Sequence, residues 1–525
     1  MTAEATEADT REQMGHRQVL ESLSGLLLAL FVAMISSTVV STALPLIIGS
    51  LNGTQTQYTW VVTATLLTAT ATTPIWGKLA DLFNKKTLVQ VAIVIFVAGS
   101  MISGFSQDTG QLIAARAFQG IGIGGLQALV QVVIAAIIPP RERGRYNGYL
   151  GAVMAVATVG GPLLGGLIVD VSWLGWRWCF FVGVPIAALA FVVLQRTLKL
   201  ETVRRENVQV DYLGAGLIAA GVSILLIWVS FVGNAFDWLS WQTGAMAGAG
   251  VVLLALAVLV ETRVREPVVP IKIVVQRTPA LAIIASLAVG MAMFGGAVFL
   301  GQYFQVGRGY SPTEAGLLTI PMMAGVLVSS TISGRMISRS GAVKPYIVAG
   351  AIILVAGFLG LGTVDHDSSL WIVGIAMAVV GIGVGMTMQN LVLAVQNSVP
   401  LRDLGAASAS VTFFRSLGGT IGVSVLGAVL ANRVTADLAT ALHVPEGQAS
   451  TGGVSALNLK ALPPEIQTVV HTVYGDATAH IFLISAAVAV IGVIAALLLK
   501  PITLRSTIDL EKKDDDTVVS DSVVG

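Results

Sequence analysis

Charge is what this chain has little of. Only 11% of its 525 residues are Asp, Glu, Lys or Arg, against 55% hydrophobic residues and a mean hydropathy of +0.83, which excludes an ordinary soluble domain. Such a chain belongs in lipid. It has one cysteine, Cys179, so no internal disulfide is possible, and Cys179 reads as a small apolar packing residue. Five scattered histidines without paired Cys or His spacing give no recognisable metal site. A net charge of +1, with no basic patch interleaved with aromatics, argues against nucleic acid as a partner. The chain holds no Gly-x-x-x-x-Gly-Lys-Ser/Thr phosphate loop and none of the clustered His and Asp that a membrane enzyme wants, so neither ATP hydrolysis nor a cofactor is expected. Residues 1–21 are polar and lack a basic region with a small-residue cleavage site, and are not expected to be a cleaved signal.

What is present is apolar length. Runs long enough to span about 30 Å of hydrocarbon fall at 24–48, 58–76, 88–105, 111–138, 146–170, 179–198, 212–232, 243–261, 280–305, 315–337, 346–363, 370–396, 405–431 and 478–499. These fourteen are expected to be helices, because a lone span must satisfy its backbone internally. With both termini cytoplasmic, 24 of the 30 Lys and Arg residues fall on inner segments, a strong positive-inside bias.

The chain also repeats itself. Gly120-Ile121-Gly122-Ile123-Gly124-Gly125 is echoed 261 positions later by Gly381-Ile382-Gly383-Val384-Gly385-Met386. Arg141-Glu142-Arg143-Gly144 matches Arg402-Asp403-Leu404-Gly405, Gly160-Gly161 matches Gly418-Gly419, and Gly77 with its basic tail matches Gly334 with its own. Two related halves in a membrane protein point to a transporter, in which similar bundles rock about a central site. The expected division is a cytoplasmic tail (1–23), an N-terminal six-helix bundle (24–200), a linker with two extra helices (201–277), a C-terminal six-helix bundle (278–500) with an outer loop at 432–476, and a disordered cytoplasmic tail (501–525).

In the inner loop after the second span stands Gly77-Lys78-Leu79-Ala80-Asp81-Leu82-Phe83-Asn84-Lys85-Lys86. A carboxylate at Asp81 suits helix N-terminal amides or an Arg of a neighbouring bundle, and such a contact would hold one conformation shut. Lys85 and Lys86 also enforce topology. The decapeptide resembles the loop motif of the major facilitator superfamily, with Asn84 where the family has its second glycine. Leu112, Arg116, Gln119 and Gly120 resemble that family's Leu-x-x-x-Arg-x-x-Gln-Gly, and Gly161-Pro162-Leu163-Leu164-Gly165-Gly166 its antiporter motif. Trp176-Arg177-Trp178-Cys179-Phe180, followed by Pro185, is similar to the same group. Two spans inserted between six-span halves resemble the fourteen-span drug:proton antiporters. The resemblance implies an all-α membrane protein of the major facilitator fold that exports hydrophobic drugs from a bacterial cytoplasmic membrane against protons.

Two features of the residues bear on coupling. A guanidinium at membrane depth, as at Arg116 and Arg415, costs a few kcal/mol and must face a cavity or a partner. Asp170 is the expected counter-charge of Arg116, because the two lie at similar heights on neighbouring antiparallel spans; the alternative is Asp170 solvated at the outer surface with Arg116 held by Gln119 and backbone carbonyls. The family usually carries an acid in the first span, yet Ser36 stands there, and no span has an Asp or Glu at its middle. Gly161 and Gly165, beside Pro162, are expected to give a thin packing surface against the opposite half, continued by Gly166. Cavity candidates are the polar residues Gln127, Gln131, Gln302, Tyr303, Gln305, Gln389 and Asn390, and the adaptable Met34, Met293, Phe294, Met386, Met388, Phe413 and Phe414. The expected partners are lipid, a small hydrophobic substrate and protons, with the chain acting as a monomer. A dedicated exporter of one host-made natural product or siderophore is the alternative reading, and a non-transporting sensor a more distant one.

Overall fold

The computed structural model describes residues 16–504 apart from 53–54, 172, 199–210, 233–235, 265–266, 401–402 and 444–462. In chain order the described helices are α1 (His16–Ser50), α2 (Gln55–Leu82), α3 (Lys85–Phe105), α4 (Thr109–Ile137), α5 (Pro140–Asp170), α6 (Trp178–Phe181), α7 (Gly183–Thr197), α8 (Tyr212–Phe231), α9 (Trp241–Glu261), α10 (Ile271–Val274), α11 (Arg277–Gln302), α12 (Pro312–Leu318), α13 (Ile320–Ser340), α14 (Lys344–Leu361), α15 (Leu370–Gln396), α16 (Leu404–Leu442) and α17 (Pro464–Leu498). A π-turn at Tyr303–Gly307 prolongs α11.

Among the described residues, thirteen helical stretches are long and apolar enough to cross a membrane. The 28-residue α2 is too rich in threonine to count by composition, yet it packs along α4, α16 and α8. Its hydroxyls are satisfied inside the bundle: Thr68 Oγ1 donates to the Ala117 carbonyl of α4 at 2.7 Å, and Thr73 Oγ1 to Ala69 at 2.7 Å. With α2 the bundle has the fourteen spans expected. Some limits differ. The span expected at 405–431 continues as α16 to Leu442, and the last helix starts at Pro464, so the expected outer loop of 432–476 is helical at both ends. The tail 505–525 and the middle of that loop, 444–462, lie outside the described residues.

The repeated glycine runs explain how the helices come close where no hydrophobic effect pushes them together. On α4, Gly120 and Gly124 lie against α2, where an added Cβ would meet the Thr65 and Ala69 carbonyls at 2.5 and 2.3 Å, while Gly122 meets the Ala92 carbonyl of α3 at 2.8 Å. On α15, Gly381 and Gly385 lie against Met322 and Val326 of α13, and Gly383 against Leu354 of α14. Each run therefore seats one helix between the same two neighbours in its own half.

Buried side chains form a core over 282–504 and two more, mostly within 19–198. A fourth, smaller core belongs to the inserted hairpin: Ile218, Val222 and Leu226 of α8 and Ala257 of α9 pack with Ala71 of α2 and Phe413 of α16. The hairpin thus leans on one helix from each half. The face of α9 carrying Val251, Val252, Leu256 and Leu259 is exposed, as suits contact with lipid.

Candidate functional site

The hydrogen bonds joining the two halves, among the described residues, gather toward one end of the bundle, that of Lys85, Lys86 and Arg141, here termed the basic end. Asp81 closes it. Its Oδ1 accepts from the Gly405 amide and its Oδ2 from the Ala406 amide, both at 2.8 Å. Since α16 starts at Leu404, these amides belong to its first turn and have no intrahelical acceptor, so a carboxylate there gains two charge-assisted bonds and the helix dipole. Gly77 makes the approach possible: a Cβ there would stand 2.2 Å from that of Ala409. Asn84, in place of the family's glycine, caps α3 by accepting from the Lys86 and Thr87 amides at 2.9 and 3.4 Å. Lys86 Nζ donates to the Gln195 carbonyl at 2.8 Å, tying the loop to the end of α7.

Next to it Arg143, 3% exposed, donates to the Ile138 and Ala135 carbonyls at the end of α4 and to Gln396 Oε1 of α15 at 3.0 Å. Gln396 Nε2 in turn donates to Ser408 Oγ of α16 at 3.1 Å. Farther along the bundle, Gln131 Nε2 donates to Gln389 Oε1 at 3.0 Å, joining α4 to α15.

Deeper in the N-terminal half lies a buried polar network. Arg116, 3% exposed, donates through NH1 to Gln119 Oε1 at 2.5 Å, and Gln119 Nε2 donates to Ser100 Oγ at 2.6 Å and Ser36 Oγ at 3.3 Å. The position where the family carries an acid is thus wired to Arg116 through one glutamine. Arg116 Nε has no partner among the described groups. The side chains of Asp170 and Pro162 lie outside the described residues, so the Arg116–Asp170 pair is not visible here. Arg415 is 7% exposed, and its NH1 likewise has no partner.

Other expected residues are divided by the fold. Gln127 Nε2 reaches Met34 Sδ at 3.9 Å across α4 and α1, and Asn390 Nδ2 donates to its own helix at Met386 O, 2.7 Å. Met293 is half-buried, and the Phe294 ring covers Gly419, whose Cβ would meet it at 2.4 Å. Phe413 and Phe414 stack edge-on at 5.1 Å and pack with the inserted hairpin. Tyr303 and Gln302 belong to a polar cluster at the opposite end of the bundle: Tyr303 OH donates to the Asp365 carbonyl at 2.8 Å, and Tyr474 OH donates to Gln302 Oε1 at 3.0 Å. There His366 Nδ1 lies 3.0 Å from Asp476 Oδ1, and this hydrogen bond raises the imidazole above its ordinary value.

Gly161 packs differently from expectation. A Cβ there would strike Thr38 Oγ1 of α1, in the same half, at 1.9 Å. The close approach to the other half is made by Gly144, Gly148 and Gly151, which face Gly334, Thr331 and Ser330 of α13. At 3.6 residues per turn that face runs on to Gly166, which meets Thr313 of α12 at 3.4 Å, while Gly161 is turned about 100° away.

The sequence of this chain matches the model of the Major Facilitator Superfamily over residues 26–423. The chain belongs to the major facilitator superfamily. It is 35% identical over 495 residues to an MFS-type transporter of Mycobacterium tuberculosis (strain ATCC 25618 / H37Rv), covering 94% of this chain and 71% of that one. It is 34% identical to the multidrug transporter protein MdtP of Bacillus subtilis (strain 168), covering 81% of this chain and 77% of MdtP. Among solved structures, the human organic anion transporter MFSD10 matches with a TM-score of 0.62 at 13% identity, over 91% of this chain and 99% of that one, which shows the fold. The chain is therefore a multi-pass membrane transporter of this superfamily, a family of transporters and not of enzymes.

Several residues that build this major facilitator bundle escaped sequence reasoning. Arg143 and Gln396 lie 253 positions apart, and no local pattern joins them. Asp211 and Glu261 stand at the ends of the expected spans 212–232 and 243–261, and Lys78 in the loop motif, yet all three are buried. The repeat was the one usable signal, since it aligns Gly144 with Gly405, and each of these glycines faces a glycine of the opposite half.

Proposed function

We propose that this chain exports hydrophobic drugs and related toxic compounds by proton antiport with alternating access. The observation that carries the reading is the seal at the basic end, where Asp81 of one half holds the first turn of α16 in the other. Such a contact has two discrete states, made or broken, which is what alternating access requires. The names of the relatives support drug export. In this reading the basic end faces the cytoplasm of a bacterium, both termini lie there, and the protein acts as a monomer in the cytoplasmic membrane. The division into bundles at 24–200 and 278–500, with the linker 201–277 between, is part of the same proposal.

The Arg116–Gln119–Ser36 network is the coupling candidate, with Asp170 as the acid that protons would reach from outside. Protonating Asp170 would weaken its hold on Arg116 and release the guanidinium toward the cavity. Purified protein in vesicles carrying an internal pH dye tests the whole reading. An imposed inward-directed proton gradient should drive uphill export of a hydrophobic fluorescent drug, and adding the drug should in turn move protons. Export indifferent to the gradient would end the antiport reading, and full activity in Asp170→Asn would end the role of that residue.

A further inference from the structure

The inserted hairpin brings two acids together where water does not reach them. Asp211 caps α8, its Oδ1 accepting from the Gly214 amide at 2.8 Å, and Glu261 ends α9, its Oε2 accepting from the Val269 amide at 3.2 Å. They are 7% and 4% exposed. The remaining oxygens, Asp211 Oδ2 and Glu261 Oε1, have no hydrogen-bond partner among the described residues. These two oxygens converge: a Cβ on Gly214 would lie 2.2 Å from the first and 2.7 Å from the second, so they are no more than about 5 Å apart. Only a glycine at 214 leaves room for both.

Two carboxylates this close and this buried do not both stay ionised, because mutual repulsion and the loss of water act in the same direction. One bound proton removes a charge and gives an orphan oxygen a hydrogen to donate toward the other. The hairpin's apolar core starts one to two turns from the pair, with Ile218 on α8, Ala257 on α9, and Val268 and Val269 beyond it, and the Val269 amide is the one that Glu261 accepts from. Among the described residues, the basic group that faces Glu261 from another helix is Lys78 of α2, itself 5% exposed, while Arg263 past the end of α9 is exposed.

We propose that Asp211 and Glu261 share a single proton and form a proton-binding site in the inserted hairpin at the basic end of the bundle. Lys78 stands three residues before Asp81 on α2, and α2 packs on α8, so the site lies against the helix that carries the latch. While Asp81 holds α16, α2 and α16 cover α8 and the proton is retained. Opening the basic end carries α2 and its Lys78 away from α16 and hydrates the pair. The carboxyl O–H bond then breaks, the proton passes to water, and both groups remain as solvated carboxylates. This coupling role rests on the proton-antiport reading above; the site itself does not.

Carbodiimide labelling tests the site without transport, since dicyclohexylcarbodiimide attacks protonated carboxyls in apolar surroundings. The full chain in lipid nanodiscs is labelled across a pH series, and the modified peptide is located by mass spectrometry. The expected result is labelling of Glu261 or Asp211 that falls about tenfold per pH unit above the midpoint and is the same in NaCl and KCl. Asp211→Asn should move the Glu261 midpoint down by about one unit or more, because the neighbouring negative charge is gone. Absence of pH-dependent labelling at both residues, or an unmoved midpoint in Asp211→Asn, overturns the proposal. Protection by Na⁺ at fixed pH also overturns it, in favour of a cation site. Should Asp211→Asn not fold, infrared titration of the wild-type chain decides: a protonated-carboxyl band missing from Glu261→Gln supports the site, and its absence from the wild type rejects it. Labelling as expected in a protein whose export ignores the proton gradient supports the site while removing its coupling role.

Discussion

Gly144 of α5 and Gly334 of α13 meet backbone to backbone, so close that a Cβ on Gly334 would lie 1.8 Å from the Gly144 carbonyl oxygen. The repeat places Gly405 and Gly77 in the same relationship, and there too the pair crosses from one half to the other, with a Cβ on Gly405 lying 2.4 Å from the Gly77 oxygen. Two symmetry-related glycine contacts thus form the floor of the bundle at its basic end. Only one is locked by an acid. The counterpart of Asp81 by the alignment of Gly77 with Gly334 is Ser338, whose hydroxyl has no partner among the described residues. The starts of the helices explain this: α16 begins at Leu404, leaving the Gly405 and Ala406 amides free, whereas α5 begins at Pro140, so the Gly144 amide already lies within its helix.

Gly334→Val should prevent the floor from closing, because the Cβ would strike a backbone carbonyl that cannot move aside as a side chain does. In a Cys179→Ser background, a cysteine introduced at Gln396 should react with a water-soluble thiol reagent at least about tenfold faster when Gly334→Val is added, a shift matching about 1.4 kcal/mol or more. Equal reaction rates would show that the floor closes by another route.

Asp81→Asn keeps the shape of the latch and loses the charge. Bonds to a charged acceptor contribute about 1.5–3 kcal/mol, so export should drop about tenfold or more at equal membrane levels, with the basic end open in a larger fraction of molecules. Spin labels on α2 and α16 would read that opening. Wild-type export by the mutant would reduce Asp81 to a topology signal.

Ser36→Asp restores the acid that the family pattern has in its first span. Ser36 is buried and bonded to Gln119, which holds Arg116, so the new carboxylate joins an existing donor network. We expect improved export of permanently cationic dyes relative to neutral ones, and an altered pH profile of export. An unchanged ratio of cationic to neutral export would mean that this face of α1 does not meet substrate.

Arg415→Gln should separate stability from transport. Arg415 is 7% exposed and its NH1 has no hydrogen-bond partner among the described residues, so burial of this guanidinium is poorly offset and its removal should leave thermal stability in detergent unchanged or raised. If Arg415 serves transport, export falls all the same. A lowered melting temperature with normal export would mark it as a structural residue.

The His366–Asp476 pair gives a pH dependence with a definite sign. The hydrogen bond that the imidazole donates to Asp476 raises it above its unfolded value. The stabilisation is therefore fully present below the ordinary histidine range, near pH 6.5, and is lost as pH rises through the raised value. The pair is partly exposed, so Asp476→Asn should lower the melting temperature by only about a degree or two in mild acid, and by nothing in alkali. An equal loss at both pH values would mean that Asp476 acts through its backbone contact with His366 rather than through charge.

The sequence alone determined what depends on composition and local order. Apolar run length set the helical spans, the distribution of Lys and Arg suggested their orientation, and the glycine repeat implied two halves. Local motifs also singled out Asp81, Arg116 and Gln119, because each pattern lies within a few residues on one helix. Only the tertiary structure decided which residues meet. Asp81 finds its amides 324 and 325 positions away, and Ser36, Ser100 and Gln119 come from three different helices. The face that carries Gly161 follows from the phase of a helix 31 residues long, where sequence spacing alone does not say which neighbour stands on which side. Asp211, Glu261 and Lys78 are buried in a fold whose hairpin packs onto α2 and α16, and no linear pattern encodes that contact.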